Sequence, residues 1–339
     1  MRHIIISFMF SGLFLSALYS CRQSGSGNTG KDSVATELVT LNTAIEKNNK
    51  DAALYTQRAE YYLRHELLNN SLNDINKAIE LDPKFEKAYT TLSSIYLLMG
   101  KPQESLDALN RVLSFDPKNA DIFLKKAKLY LVMKDYENCA ASIQMSIEID
   151  PNIADAYYLK GMALMENEKM DLAIASFQRA VTIDQKHYDA LMQLGYIWEA
   201  RDTKMSIEYF NSAVLANPKS TEALYNLGLL YQEHGEPEKA IKSYEAIIRI
   251  DPLNKLAHYN TGYVNLVYLS NYAKAATDFS KAIEIDSLYS DAWFNRGYSF
   301  ELNGELENAR NDYQTVLKLD VNNPKAIEGL NRLDNLRKK

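Results

Sequence analysis

Few side chains in this 339-residue chain could do chemistry, and most fail on spacing. The five histidines, His3, His65, His187, His234 and His258, share no interval that would pair two of them as metal ligands on one helix face. No Gly-rich phosphate loop, Gly-x-Ser-x-Gly elbow or His-Glu-x-x-His motif occurs, so no catalytic residue, metal or cofactor is expected. What recurs is an amide beside a ring, in the near-identical strings Tyr225-Asn226-Leu227-Gly228, Tyr259-Asn260-Thr261-Gly262 and Phe294-Asn295-Arg296-Gly297. One carboxamide can donate to a peptide carbonyl and accept from its N–H, so a row of Asn226, Asn260 and Asn295 could grip a backbone without reading its side chains. More rings follow at Tyr196, Tyr263 and Tyr298. Tyrosine offers a large contact area with a polar tip at low entropy cost, which is binding chemistry rather than catalysis.

The elements that would carry these residues are set by a period of about 34. Pro83, Pro117, Pro151, Pro218 and Pro252 keep it, and where Gln185, Ser287 and Val321 replace proline the preceding Asp184, Asp286 and Asp320 keep it instead. Such a period implies stacked supersecondary units sharing a core. In residues 221–254, Leu224, Leu227, Gly228 and Tyr231 form one helical stripe, and Ala240, Tyr244 and Ile247 a second. Between them Gly235 can end the first helix in a left-handed conformation, and Pro237 can open the second without losing a hydrogen bond. Gly100-Lys101-Pro102 repeats this punctuation and Gly304 half of it. Each unit is therefore a pair of antiparallel helices, closed by Asp-Pro because proline cannot continue a helix.

This pattern resembles the tetratricopeptide repeat. Eight units are read: 52–85, 86–119, 120–153, 154–187, 188–220, 221–254, 255–289 and 290–323. The family's small position falls on Ala59, Ser93, Ala127, Gly161, Gly195, Gly228, Gly262 and Gly297. Its tyrosine position falls on Tyr62, Tyr96, Tyr130, Leu164, Trp198, Tyr231, Asn265 and Phe300, with Asn265 and one extra residue marking a departure in the seventh unit. The resemblance implies an all-α, right-handed superhelical solenoid of helix-turn-helix repeats, with capping helices at 34–51 and 324–339. It also implies an extended peptide or partner protein in a concave groove lined by the first helices. Position 5 of the units reads Thr56, Thr90, Leu124, Tyr158, Met192, Tyr225, Tyr259, Phe294, and position 9 reads Glu60, Ser94, Lys128, Met162, Tyr196, Leu229, Tyr263, Tyr298. The C-terminal half of the groove is thus aromatic, and its rings either meet the partner or pack between neighbouring first helices. The asparagines are similar to the ladder of peptide-binding arrays in some glycosyltransferases, or else bridge adjacent helices. The lysine and asparagine clamp of chaperone-binding arrays would need positions filled here by Thr56, Glu60 and Thr91. His258 stands where other units have Tyr, Phe, Leu or Trp and reads as a partly buried packing residue, and Cys139 occupies a small-residue position.

At the N-terminus, a basic start and an apolar run from Ile4 to Leu18 fall short of a spanning helix and read as a secretory leader, residues 1–20. Leu18-Tyr19-Ser20-Cys21 resembles a lipoprotein lipobox, which implies acylation of Cys21. An ordinary cleaved leader or an uncleaved anchor are the alternatives. Residues 21–33, small and polar at their start, read as a flexible tether. By the same resemblance the expected location is the periplasmic face of an outer membrane, with the membrane met only through the lipid. A net charge of −6 disfavours nucleic acid as a partner. Two functions follow: an envelope scaffold holding an extended segment of another protein, or a factor assisting outer-membrane barrel or secretin assembly. Glycan binding fits poorly, since no long insertions separate the repeats, and an enzyme is the remotest reading.

Overall fold

A computed structural model describes the backbone of residues 29–337 and the side chains of 36–336. Cys21 and the leader lie outside the described residues. Among the described residues all regular structure is helical: α1 (Thr29–Lys47), α2 (Ala52–Arg64), α3 (Leu68–Leu81), α4 (Glu86–Leu98), α5 (Pro102–Leu113), α6 (Ala120–Val132), α7 (Tyr136–Ile149), α8 (Ala154–Glu166), α9 (Met170–Ile183), α10 (Tyr188–Glu199), α11 (Thr203–Ala216), α12 (Thr221–Glu233), α13 (Pro237–Ile250), α14 (Lys255–Val267), α15 (Tyr272–Ile285), α16 (Ser290–Leu302), α17 (Leu306–Leu319) and α18 (Pro324–Arg337). The helix α1 already begins at Thr29, so residues 29–33, expected in the tether, are helical; no proline or glycine lies between Gly30 and the body of the helix to stop it. The chain forms two compact units that divide between Ala173 and Ile174. In the first, α2 pairs with α3, α4 with α5 and α6 with α7, and α1 packs on α2. In the second, α10 pairs with α11, α12 with α13, α14 with α15 and α16 with α17, and α18 packs on both α17 and α16.

Local chemistry sets the turns. Gly100, Gly235 and Gly304 take the left-handed conformation expected of them at φ 71°, 76° and 82°, but Glu66, Lys134, Glu168 and Ser270 take it too. At those four positions the hairpin geometry outweighs the side-chain strain that glycine would avoid. Between units the aspartate matters more than the proline. Asp82, Asp150, Asp184, Asp251 and Asp286 each accept a hydrogen bond from the backbone N–H two residues on, at 2.8–3.2 Å. This side-chain turn explains why Asp184 and Asp286 persist where proline does not. The next helix is then latched from position 4: Tyr55, Tyr89 and Trp293 donate to the carbonyls of Asn49, Pro83 and Ser287, six residues back. The Nε2 of His258 makes the same contact with the carbonyl of Pro252 at 3.1 Å, so this half-buried histidine is a latch in its repeat. His187 is a cap, its Nδ1 accepting from the backbone N–H of Ala190.

Within a repeat the two helices meet where a small residue faces a large one. A Cβ built on Gly195 would lie 2.8 Å from the Phe210 ring, on Gly228 2.5 Å from Tyr244, on Gly262 3.0 Å from Phe279, and on Gly297 3.1 Å from Tyr313. These four rings are fully buried. In the first unit the equivalent pairs are Ala59 with Ile75, Ser93 with Leu109 and Ala127 with Ile143. Adding a Cβ to the first helix is matched by trading a ring for an aliphatic chain on the second, which conserves volume across the contact. Cys139 is fully buried at the neighbouring small position, and burial pushes its thiol up to about 11, as suits packing rather than reactivity.

The first and last repeats share a device of their own. Arg58 holds both carboxylate oxygens of Asp74 at 2.7 Å and reaches Asn42 on α1, while Arg296 holds Asp312 at 2.8 Å and reaches Ser280 on α15. Each guanidinium lies beside two rings, Tyr55 and Tyr62 or Trp293 and Phe300. The seventh repeat keeps the acid but not the arginine. Asp278 is held by Asn265, whose amide donates to it at 2.9 Å and to the carbonyl of Thr261 at 3.1 Å. The motif departure at Asn265 is thus absorbed within an intact helix pair, and the extra residue sits in the turn around Ser270.

Two outcomes follow. Gly228→Ala should destabilise by about 1–3 kcal/mol through overpacking against Tyr244, and Tyr244→Ile should recover much of that loss in the double variant, as thermal melting of the four-member cycle will show. Burial raises the Asp278 carboxyl, more than the Asn265 bond lowers it. For an acid raised on folding, stability is fully present below the unfolded value of about 3.9 and is lost as pH climbs through the folded value. Asp278→Asn should therefore raise the melting temperature at neutral pH, with the gain shrinking towards pH ~4.

Candidate functional site

In the second unit the rings expected of the groove lie on the first helices α10, α12, α14 and α16, and each has an inner edge in the core. Tyr196 meets Phe210 at 5.2 Å between centroids, Tyr225 meets Tyr244 at 6.3 Å, Tyr259 meets Phe279 at 5.5 Å and Phe294 meets Tyr313 at 5.6 Å. At position 5 the rings therefore rest on the second helix of their own repeat, and Tyr225, Tyr259 and Phe294 stay half-buried. Along each helix they continue outward: Tyr263 stacks beside Tyr259 at 6.5 Å and 26°, and Tyr298 beside Phe294 at 6.4 Å and 11°. This is the i, i+4 spacing of one helix face. Because α14 and α16 touch, the two stacks lie on adjoining helices.

Two of the three asparagines bridge neighbouring first helices. Asn226 donates from its Nδ2 to the hydroxyl of Tyr196 at 3.0 Å, and Asn295 to that of Tyr259 at 2.8 Å, in each case joining one first helix to the preceding one. The Tyr196 hydroxyl in turn donates to Glu222 at 2.6 Å. Asn260, between them in sequence, has an enclosed amide nitrogen with no acceptor among the described residues. Two of the three amides thus spend a donor inside the scaffold, which is the bridging alternative raised by the sequence. Burial raises the Tyr196 phenol, with Glu222 adding to it, and burial likewise raises Tyr259, with Tyr289 and Asp291 adding. Both phenols stay protonated at neutral pH, which the bond from Tyr196 to Glu222 requires.

The flanks add residues that sequence reasoning passed over. Val267 and Leu302, one turn beyond Tyr263 and Tyr298, are 51% and 41% exposed and lengthen the apolar strips. Their signal was the same i+4 spacing. From α18, Lys325 and Arg332 lie over the Phe294 and Tyr298 rings. Glu301 is shared by Arg332 and Tyr313 at 2.6–2.9 Å; burial pushes its carboxyl up, but these bonds outweigh it and hold it below the usual range. A shallow cleft bounded by Glu222, Tyr225, Ile247, Asn254 and Leu256 joins the faces of α12 and α14.

The first unit is built differently on the same positions. Thr56 and Leu124 are buried, and ion pairs Lys87–Glu60 at 3.0 Å and Lys128–Asp155 at 3.3 Å tie consecutive first helices where the second unit has rings. Among the described residues no group of His, Cys, Asp and Glu is placed to hold a metal ion.

Comparison with known proteins agrees with this geometry. Tetratricopeptide repeat models match residues 86–119, 154–187, 221–254 and 264–324. The first three frames coincide with units drawn from the aspartate and proline period. Human Tetratricopeptide repeat protein 6 is 33% identical over 123 residues, 36% of this chain and 23% of that protein. RNA polymerase II-associated protein 3 of Xenopus tropicalis is 32% identical over 104 residues, 31% of this chain and 16% of that one. Rat Serine/threonine-protein phosphatase 5 is 32% identical over 110 residues, 32% and 21% of the two chains. The chain therefore aligns with about a fifth of the length of these relatives. Two solved structures share the fold: the C-terminal part of a TPR repeat-containing protein from Cytophaga hutchinsonii, at TM-score 0.57 and 20% identity over 70% of this chain and 98% of that one, and yeast Tom70, at 0.54 and 16% over 87% and 63%. Paired helices on a period of about 34, small residues at each crossing and four matched stretches place this chain in the tetratricopeptide repeat family.

Proposed function

We propose that this protein is a non-catalytic interaction scaffold that holds an extended segment of a partner protein across the first helices of its second unit. The observation that carries this reading is the pair of ring stacks, Tyr259 with Tyr263 and Phe294 with Tyr298, on the touching helices α14 and α16. Each ring is anchored from below by the core and keeps part of its surface outside. Contact area of this kind is already ordered, so little side-chain entropy is lost on binding. Two scaffold amides hold the first helices in register, which makes them positioning residues for the face. Acylation of Cys21 would tether the scaffold to the periplasmic face of an outer membrane.

Peptides selected from a random display library against the mature chain give the test. Tyr263→Ser with Tyr298→Ser should weaken them by roughly tenfold or more, as loss of central aromatic contacts does, while Lys87→Ser with Lys128→Ser leaves them unchanged. The reading fails if the lysine pair matters and the tyrosine pair does not. For the tether, Cys21→Ala should move the protein to the aqueous phase of a detergent partition. A variant that stays with detergent would end the acylation assignment.

A further inference from the structure

The turns between repeats carry polar residues at their tips through the first unit, at Lys84, Lys118 and Asn152, all exposed. The second unit begins the same way, with Lys186 and Lys219. Its next three turns change chemistry. Leu253 and Leu288 take the same position, and Val321 stands one residue earlier in its turn; they are 74%, 73% and 74% exposed. Ile250 and Leu319, at the ends of α13 and α17, add partly exposed aliphatic surface beside them. These turns join α13 to α14, α15 to α16 and α17 to α18, helices that pack on one another in that order. The aliphatic side chains therefore follow one edge of the unit, whereas ordinary exposed apolar residues are scattered singly. Packing accounts for none of the three tips, which lie outside the core, and a polar residue serves the same turn in the other repeats.

We infer that this edge rests in the interfacial layer of a lipid membrane, with Leu253, Leu288 and Val321 entering the acyl boundary. The choice of lipid rests on the tether proposed above. Residues 22–28 alone separate Cys21 from the start of α1 at Thr29, a reach of about 28 Å at full extension. An acyl group on Cys21 keeps the chain beside lipid, where a second contact too weak to act alone gains from the raised local concentration. The turns are chemically suited to that layer. The backbone N–H groups of Leu253 and Leu288 donate to the carboxylates of Asp251 and Asp286 at 3.2 and 3.1 Å, and those of Asn254 and Tyr289 donate to the carbonyls of the same aspartates at 3.1 Å. Little open backbone therefore enters a region poor in water. Arg249, Lys255 and Lys318 stand among Asp251, Asp286 and Asp320, so charge of both signs surrounds the tips and apolar entry, not headgroup charge, carries the contact. Separate protruding tips also suit a fluid layer that closes around each of them, while a rigid protein surface would have to be shaped to fit.

The mature chain carrying Cys21→Ser, which has no acyl group, is floated with vesicles of pure phosphatidylcholine in a density gradient, and the bound fraction is read against lipid concentration. It should float with the vesicles and be little affected by ~300 mM NaCl. Leu253→Ser with Leu288→Ser and Val321→Ser should lower the partition coefficient by about tenfold or more, while melting and affinity for the library peptides stay unchanged. A control triple of exposed aliphatic residues in the first unit, Val39→Ser with Leu67→Ser and Val132→Ser, should float as the parent does. The inference is overturned if the parent does not float, if the tip triple floats equally well, or if the control triple loses as much. Flotation that needs phosphatidylglycerol in the vesicles and vanishes in ~300 mM NaCl overturns it as well, because charge then carries the contact. A dimer in analytical ultracentrifugation that the tip triple abolishes, without flotation, would give the edge to a second copy and end the lipid assignment. Loss of the library peptides in the tip triple would make the edge part of the partner surface instead. None of these readouts uses the acyl group, so they separate the edge from the Cys21 assignment, which the detergent partition tests.

Discussion

Everything on the face of the second unit depends on how closely the two helices of a repeat approach. The missing Cβ at Gly195, Gly228, Gly262 and Gly297 lets a buried ring from the second helix press against the first-helix backbone. That ring is then the floor on which the position-5 ring rests: Tyr244 under Tyr225, Phe279 under Tyr259, Tyr313 under Phe294. With an aliphatic floor, as at Ile75 and Leu109, the first unit carries threonine at that position and spans its helices with ion pairs instead. Aromatic surface outside therefore goes with aromatic core inside, linked through one close helix contact.

Polar groups divide between holding the scaffold and facing outward. The Asn226 and Asn295 amides and the Tyr196 and Tyr259 hydroxyls fix neighbouring first helices, and the Arg58 and Arg296 guanidiniums lock the first and last repeats to the helix before them. A buried pair of that kind is a weak source of net stability but breaks expensively, so it fixes geometry at the ends of the array, where a repeat has fewer neighbours. The half-buried Asp278, without an arginine, is the contrasting case: burial raises its carboxyl and the Asn265 amide keeps it in place.

Fold and repeat frame were legible in the sequence because their causes are local. An aspartate that accepts from the N–H two residues on, a proline that cannot continue a helix and a small residue at each crossing act within one repeat, so they recur visibly along the chain. The latch at His258 also obeys such a rule, six residues to a carbonyl, although its ring type hid it. Placement of the tyrosines on one helix face was readable for the same reason. Which partner each asparagine amide would choose was not, since the hydroxyls that accept from Asn226 and Asn295 lie 30 and 36 residues earlier and come within reach only once neighbouring first helices pack. Sequence alone thus determined the helices, their pairing and the side that carries the rings, because backbone periodicity and turn chemistry suffice for those. Only tertiary structure decided how far each ring sinks onto its floor and which amides are spent inside, because the first depends on how closely the two helices of a repeat approach and the second on hydroxyls brought up by the preceding repeat.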